Sequence, residues 1–278
     1  MLNFLHTFNP SPVMAAIGPI NIYWYGFFML LAVLAALTVC LYLTKLHSLK
    51  TDIIIDLAFW LIISGLIGAR LYEVLLELPY FLANPLNIFK IWQGGLAIHG
   101  AIIGGLIALW LFTRKNNFSF FQLAAIIATV LPLGQTIGRW GNYFNQEIFG
   151  YPTALLWGIP IDPANRPLTY FDDQYFHPVF LYESIGNLII FIILFILHYL
   201  IIKKNKTSGS VYFLLLTSYF LLYSMLRFSL EFIRLDPAPV LFSLRFPQLI
   251  SLLIIIFSLS YFIYYFWLNI REKTRLDN

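Results

Sequence analysis

Apolar residues fall into long runs along this chain, separated by short polar segments, and the runs are long enough to cross a bilayer. About 20 mostly apolar residues are needed to span roughly 30 Å of hydrocarbon. Seven stretches qualify: Ile20–Leu43, Ile53–Leu76, Gly95–Thr113, Phe118–Gly138, Val179–Ile202, Val211–Phe232 and Phe246–Leu268. All are predicted to be helices, because an open strand leaves backbone N–H and C=O groups unpaired in lipid. The pattern predicts an all-α, polytopic membrane protein of seven transmembrane helices, a single integral domain over residues 1–278. The longest polar segment, residues 145–177, is rich in Pro, Asp and Tyr and is expected to form a small head.

Composition narrows the class. Only 11% of the 278 residues are charged and 60% are hydrophobic, far from the roughly 25% charged of a soluble domain. The same numbers exclude intrinsic disorder. Cys40 is the only cysteine, which excludes a disulfide scaffold. Residues 1–18 contain no Lys or Arg, so the charged start of a cleavable signal peptide is missing and the first span is expected to serve as an uncleaved anchor. The net charge of +4 reflects topology rather than nucleic acid, since no basic run is interleaved with aromatics. Lys45, Lys50, Arg114, Lys115, Lys203, Lys204, Lys206, Arg271, Lys273 and Arg275 all fall on one side of the seven spans. The positive-inside rule makes that side cytoplasmic, with the N-terminus and the 145–177 head outside.

The other basic residues, Arg70, Lys90, Arg139, Arg166, Arg227, Arg234 and Arg245, lie on the outer side, against that rule. Any one of them is explained by snorkelling or by an ion pair. Together they share one depth with other polar residues. Tyr223, Arg227, Glu231 and Arg234 follow one helical face at the end of the sixth span. Arg70 and Glu73 sit at the outer end of the second span. Tyr25, within Trp24-Tyr25-Gly26, fits an interfacial aromatic belt. His99 opens the third span among glycines; it is either a hydrogen-bonded structural residue or a base, since imidazole titrates near neutrality. Glu183 is expected about two turns into the fifth span, where it requires a partner such as an outer-side arginine.

Gly138-Arg139-Trp140-Gly141-Asn142-Tyr143-Phe144-Asn145-Gln146-Glu147 is the densest polar stretch. Its arginine offers a planar fork suited to phosphate oxygens, and Asn142 and Asn145 can donate to phosphate or glycerol oxygens. No His, Cys and carboxylate spacing matches a metal site, and neither a Gly-x-Ser-x-Gly elbow nor a P-loop is present.

That stretch resembles the signature of the bacterial phosphatidylglycerol–prolipoprotein diacylglyceryl transferases. The likeness continues through Trp24-Tyr25-Gly26, Gly68-Ala69-Arg70-Leu71, Gly94-Gly95, His99-Gly100, His177-Pro178, Leu181-Tyr182-Glu183, and Arg227-Phe228 with Glu231-Phe232 and Arg234. It departs at Ala101, Tyr23, Phe180 and the Leu235-Asp236-Pro237 turn. The resemblance implies an enzyme of the inner membrane. Its substrates would be phosphatidylglycerol and the lipobox cysteine of a preprolipoprotein, with no cofactor, no metal and no nucleic-acid partner. His99 would take the thiol proton, while Arg139 and Arg227 would hold the phosphate. Asn142 and Glu147 would hold the glycerol headgroup and orient Arg139, and Tyr25 would bond the phosphate or glycerol. Glu231 and Arg234 would support the arginines from behind, and Arg70 is counted with the substrate-binding residues. A secondary transporter of an anionic solute, or a subunit whose charges only pair, are the alternatives; transporters place ionisable groups nearer the midplane and on repeats.

Overall fold

The structure is a computed structural model that describes residues 2–18, 20–205 and 207–276. Lys206 therefore lies outside the described residues, as do the side chains of Lys273 and Arg275. The chain divides into two compact units, one formed by the residues up to Ala36 with those from Ala128 onward, the other by Leu37–Ile127. Among the described residues, six helices are long and apolar enough to cross a membrane. The molecule is a mostly helical, multi-pass membrane protein.

In the Leu37–Ile127 unit, helix α3 (Thr51–Leu76) packs lengthwise on α5 (Ile98–Asn116). Glycines make this approach possible: a Cβ on Gly68 or Gly100 would collide with the other's carbonyl, and one on Gly104 with that of Ser64. Small residues spaced by four let helix backbones meet in a membrane, where apolar burial supplies no drive. Helix α5 corresponds to the third predicted span but is the shortest of the seven, 19 residues, with His99 at one end and Arg114 and Lys115 at the other. It falls outside the six because polar residues at both ends dilute its apolar run. Asn117 closes it in the left-handed conformation, which Asn tolerates. Between the two helices run α4 (Leu78–Ala83) and two 3₁₀ turns.

In the other unit, α1 (Leu2–Thr7) and the hairpin β1 (Val13–Ile17)–β2 (Ile20–Tyr23) precede α2 (Trp24–Leu46), whose residues from Leu37 on fall in the Leu37–Ile127 unit. Helix α6 (Phe120–Phe144), which belongs here from Ala128 on, α7 (Val179–Lys203), α8 (Gly209–Leu230) and α9 (Phe246–Leu276) follow; α7 packs on α8 and α8 on α9. Two boundaries differ from the hydropathy pattern. Helix α6 continues past Gly138 to Phe144, because polar residues end an apolar run without ending a helix. Helix α7 starts at Val179, as the pattern predicts, and Glu183, four residues on, lies one turn in rather than two. Helix α8 stops at Leu230, so the stripe expected to reach Arg234 leaves the helix before its last two members, Glu231 at the cap and Arg234 beyond it.

The 145–177 segment carries a short antiparallel pair, β3 (Ile159–Pro160) with β4 (Tyr175–Phe176), and shares its core with its surroundings. Leu5 of α1, Tyr143 of α6, Phe149, Ile161, Phe176 and Phe180 of α7 pack as one cluster. Buried Gln146 ties this region together, donating to the carbonyl of Pro10 at 2.8 Å and to Asp162 at 2.7 Å. A third pair, β5 (Val240–Leu241) with β6 (Leu244–Arg245), leads into α9. These small hairpins are the only strands among the described residues and leave the helical class unchanged.

Candidate active site

Glu183 is the centre of the site. Its side chain is only 4% exposed, yet three guanidiniums converge on it. Arg139 of α6 approaches one carboxylate oxygen through Nε. Arg227 of α8 and Arg234 share the other, Nη1 to Oε1 at 3.3 and 2.7 Å. Glu231, 1% exposed, is held by Arg227 Nη2 at 2.8 Å and by Arg245 Nε at 3.2 Å. Arg234 also donates through Nε to Asp236 at 2.6 Å. Arg245 donates to the backbone carbonyls of Glu231, Arg234 and Asp236. Burying a lone charge at such a place would cost several kcal/mol, so these groups persist only as a set.

The set is not neutral. Four guanidiniums face three carboxylates, which leaves one positive charge over. That charge has an outlet: the side chains of Arg139, Arg227 and Arg245 are 20%, 21% and 19% exposed, against 8% for Arg234, but Arg245 is committed to Glu231 and three backbone carbonyls, which leaves Arg139 and Arg227 as the exposed pair. Arg139 spends Nε on Glu183 and Nη1 on Asn142 Oδ1, at 3.2 Å, leaving Nη2 uncommitted among the described residues. Burial works against the charged Arg234, but Glu183, Asp236 and Glu231 outweigh it and hold its pKa above the ordinary arginine value. Arg234 is thus a fixed cation, and the exposed pair is the part able to meet an anion.

Asn142 links this cluster to a further carboxylate. Its amide donates to Glu147 at 2.8 Å, as does that of Asn145 at 3.2 Å, so Arg139, Asn142 and Glu147 form a chain. Tyr25 lies against Gly141, where an added Cβ would come within 2.9 Å of its ring, and it is within electrostatic reach of Glu147 and Arg139. Gly150 makes the last connection. Its N–H bonds to the His177 carbonyl at 2.9 Å, the next N–H bonds to that of Ile233 at 3.0 Å, and Gly150 bridges to Arg234. The 145–177 segment thereby fixes the turn that carries Arg234.

Residues Arg70, Glu73 and His99 belong to the Leu37–Ile127 unit. Arg70 is committed to its own fold: it donates to the carbonyls of Ile88, Gly94, Gly95 and Asn87 and stacks on Phe81 at 5.0 Å. The positive φ of Gly94 and Gly95 turns two of those carbonyls toward it, and a Cβ on Gly95 would come within 2.8 Å of Nη1. Of the arginines expected to bind substrate, Arg70 has the fewest donors to offer. His99 is the opposite case. It is exposed, its ring lies 5.8 Å from that of Tyr72, and no hydrogen bond engages it among the described residues. A structural histidine would be tethered.

The structure thus unites Tyr25, Arg139, Asn142, Glu147, Arg227, Glu231 and Arg234 within one unit, and it adds three residues. Glu183 was visible in the sequence only as a carboxylate in need of a partner. Arg245 and Asp236 carried no signal beyond lying on the outer side. A charged residue one position before an apolar span, as Arg245 stands before α9, is the cue that was available.

Fold and site together define a multi-pass membrane protein with a buried arginine–carboxylate cluster open to an anion. A family profile described as prolipoprotein diacylglyceryl transferase matches residues 12–264. Relatives named phosphatidylglycerol–prolipoprotein diacylglyceryl transferase are similar over nearly the whole chain. One from Synechocystis is 41% identical, covering 97% of this chain and 93% of the relative. One from Nostoc is 41% identical (99% and 95%), and one from Acaryochloris marina 42% identical (88% and 87%). The chain belongs to the prolipoprotein diacylglyceryl transferase family.

Proposed function

We propose that this enzyme transfers the sn-1,2-diacylglyceryl group of phosphatidylglycerol to the lipobox cysteine of a preprolipoprotein. The bond between the glyceryl carbon and the phosphate oxygen breaks, a C–S thioether forms, and glycerol 1-phosphate leaves. The observation that carries this reading is the pair Arg139 and Arg227, guanidiniums 20% and 21% exposed at the rim of the cluster, whereas the similarly exposed Arg245 is taken up by Glu231 and backbone carbonyls. Charge that grows on a departing phosphate is stabilised by donors already held in place. Asn142 and Glu147 hold the headgroup glycerol and fix Arg139. Tyr25 donates to the phosphate or glycerol. Glu231 and Arg234, with Glu183, keep the arginines in position. A thiol with pKa near 8.5 must be deprotonated to attack, and His99 takes that proton; its exposed, untethered ring supports the assignment. The sulfur arrives with the substrate, so buried Cys40 has no part.

In this reading seven helices cross the bacterial inner membrane, α5 included. The N-terminus, the 145–177 head and the arginine cluster face outward, and the C-terminus is cytoplasmic. The positive-inside distribution of Lys and Arg supports that orientation.

Purified protein, phosphatidylglycerol and a lipobox peptide should yield a peptide heavier by the diacylglyceryl group. Arg139→Ala should lose the adduct while remaining folded in detergent. An unmodified peptide with wild-type protein, or an undiminished adduct with Arg139→Ala, would sink the reading.

A further inference from the structure

A second polar layer lies one to two turns from the charge cluster along the same three helices. Gln135 stands one turn before Arg139 on α6, and Asn187 one turn after Glu183 on α7. Tyr219 stands two turns before Arg227 on α8. Each step moves away from the helix end that carries the charge cluster, by about 6 Å per four residues. Some polar groups at this level clearly serve packing: Ser184 Oγ donates to the Thr136 carbonyl at 2.9 Å, joining α7 to α6. Asn187 does not. It is 0% exposed, yet neither Nδ2 nor Oδ1 has a partner among the described residues, and Gln135 Oε1 is likewise unpartnered. Gln135 Nε2 donates to the Tyr219 hydroxyl at 3.1 Å. That hydroxyl can equally donate, so the Gln135 amide can turn and present its N–H groups instead. Buried amides without partners are costly in a membrane interior, and so many at one level call for an occupant.

The proposed reaction supplies one. With its phosphate on Arg139 and Arg227, the lipid carries two ester carbonyls on the neighbouring glycerol carbons, deeper than the phosphate. Esters are pure acceptors, two in number, and they remain in the product. We propose that Asn187 and Gln135 donate to these two carbonyls, making the enzyme selective for ester-linked over ether-linked phosphatidylglycerol. The inference rests on the transfer reading above.

The test compares phosphatidylglycerol with two ester-linked chains and phosphatidylglycerol with two ether-linked chains of equal length. Both are presented in detergent micelles with a lipobox peptide, and kcat/KM is read from the mass of the thioether adduct. Two lost hydrogen bonds should make the diether substrate roughly tenfold poorer with wild-type enzyme. Asn187→Leu should narrow that ratio to about threefold or less, and Gln135→Leu should narrow it independently if the first variant does not fold. Equal use of both lipids by the wild type would overturn the proposal, leaving water or packing as the role of the two amides and the transfer reading intact. A ratio preserved in both variants would also overturn it. Failure to modify the peptide with either lipid would instead defeat the transfer reading and this proposal with it.

Discussion

The consequences of the cluster differ sharply from one residue to the next. Removing the Glu183 carboxylate leaves Arg139, Arg227 and Arg234 facing one another in a buried site. Glu183→Ala should therefore cost about 3–5 kcal/mol, seen as a lower unfolding temperature in detergent. Arg139→Lys should fold but work poorly. A single ammonium cannot serve Glu183 and Asn142 and still present a planar donor to phosphate, so a drop in kcat of about 10²–10³ is expected in the peptide-modification assay. Gly150 is constrained by its surroundings rather than by its conformation. Its Cβ would come within 2.5 Å of the Ile233 carbonyl, so Gly150→Ala should push the 145–177 segment off the turn carrying Arg234. Activity should fall more than secondary structure measured by circular dichroism.

At the scale of elements, α3 and α5 offer an internal control. Gly104 and Gly105 are neighbours in sequence, but only the first faces Ser64; a Cβ on Gly105 meets nothing nearer than Leu61 Cδ2 at 4.0 Å. Gly104→Ala should cost about 1–3 kcal/mol by thermal unfolding and Gly105→Ala almost nothing. Hydropathy located these helices well, because the length of a span is dictated by the bilayer. It did not locate where polar helices end, which is why α6 outran Gly138 and α8 fell short of Arg234. Nor could it show that Arg70 is consumed by four carbonyls, since which loop folds back on a side chain is decided by backbone conformations such as those of Gly94 and Gly95. The polar cluster of Arg139 through Glu147 was legible because so many polar groups in a membrane chain need a reason. Glu183 was legible only as a need, its three partners being brought together by packing.

For the molecule as a whole, acid should act through the 145–177 segment. His177 accepts or donates at 3.1 Å to Tyr182, which also receives the Trp157 N–H at 2.8 Å. Burial holds the His177 pKa below the ordinary histidine value. As pH falls through about 6.5 the unfolded chain binds the proton first, so stability is full above that pH and declines below it. The decline ends once the folded protein is protonated too. The unfolding temperature should drop between neutral and mildly acidic pH, and less so in His177→Gln. The cluster around Glu183 has a different consequence, one for synthesis. Arg139 is made before any carboxylate that can balance it, and Arg227 follows Glu183 by 44 residues. Alone, α6 or α7 would enter lipid with an uncompensated charge, a poor solution for an isolated span, whereas Arg227 of α8 has Glu231 four residues on. The chain is best released from the insertion machinery only when α6, α7 and α8 can leave together. A chain truncated after α7 would still carry a glutamate missing most of its partners, a recognisable mark of incompleteness for membrane quality control.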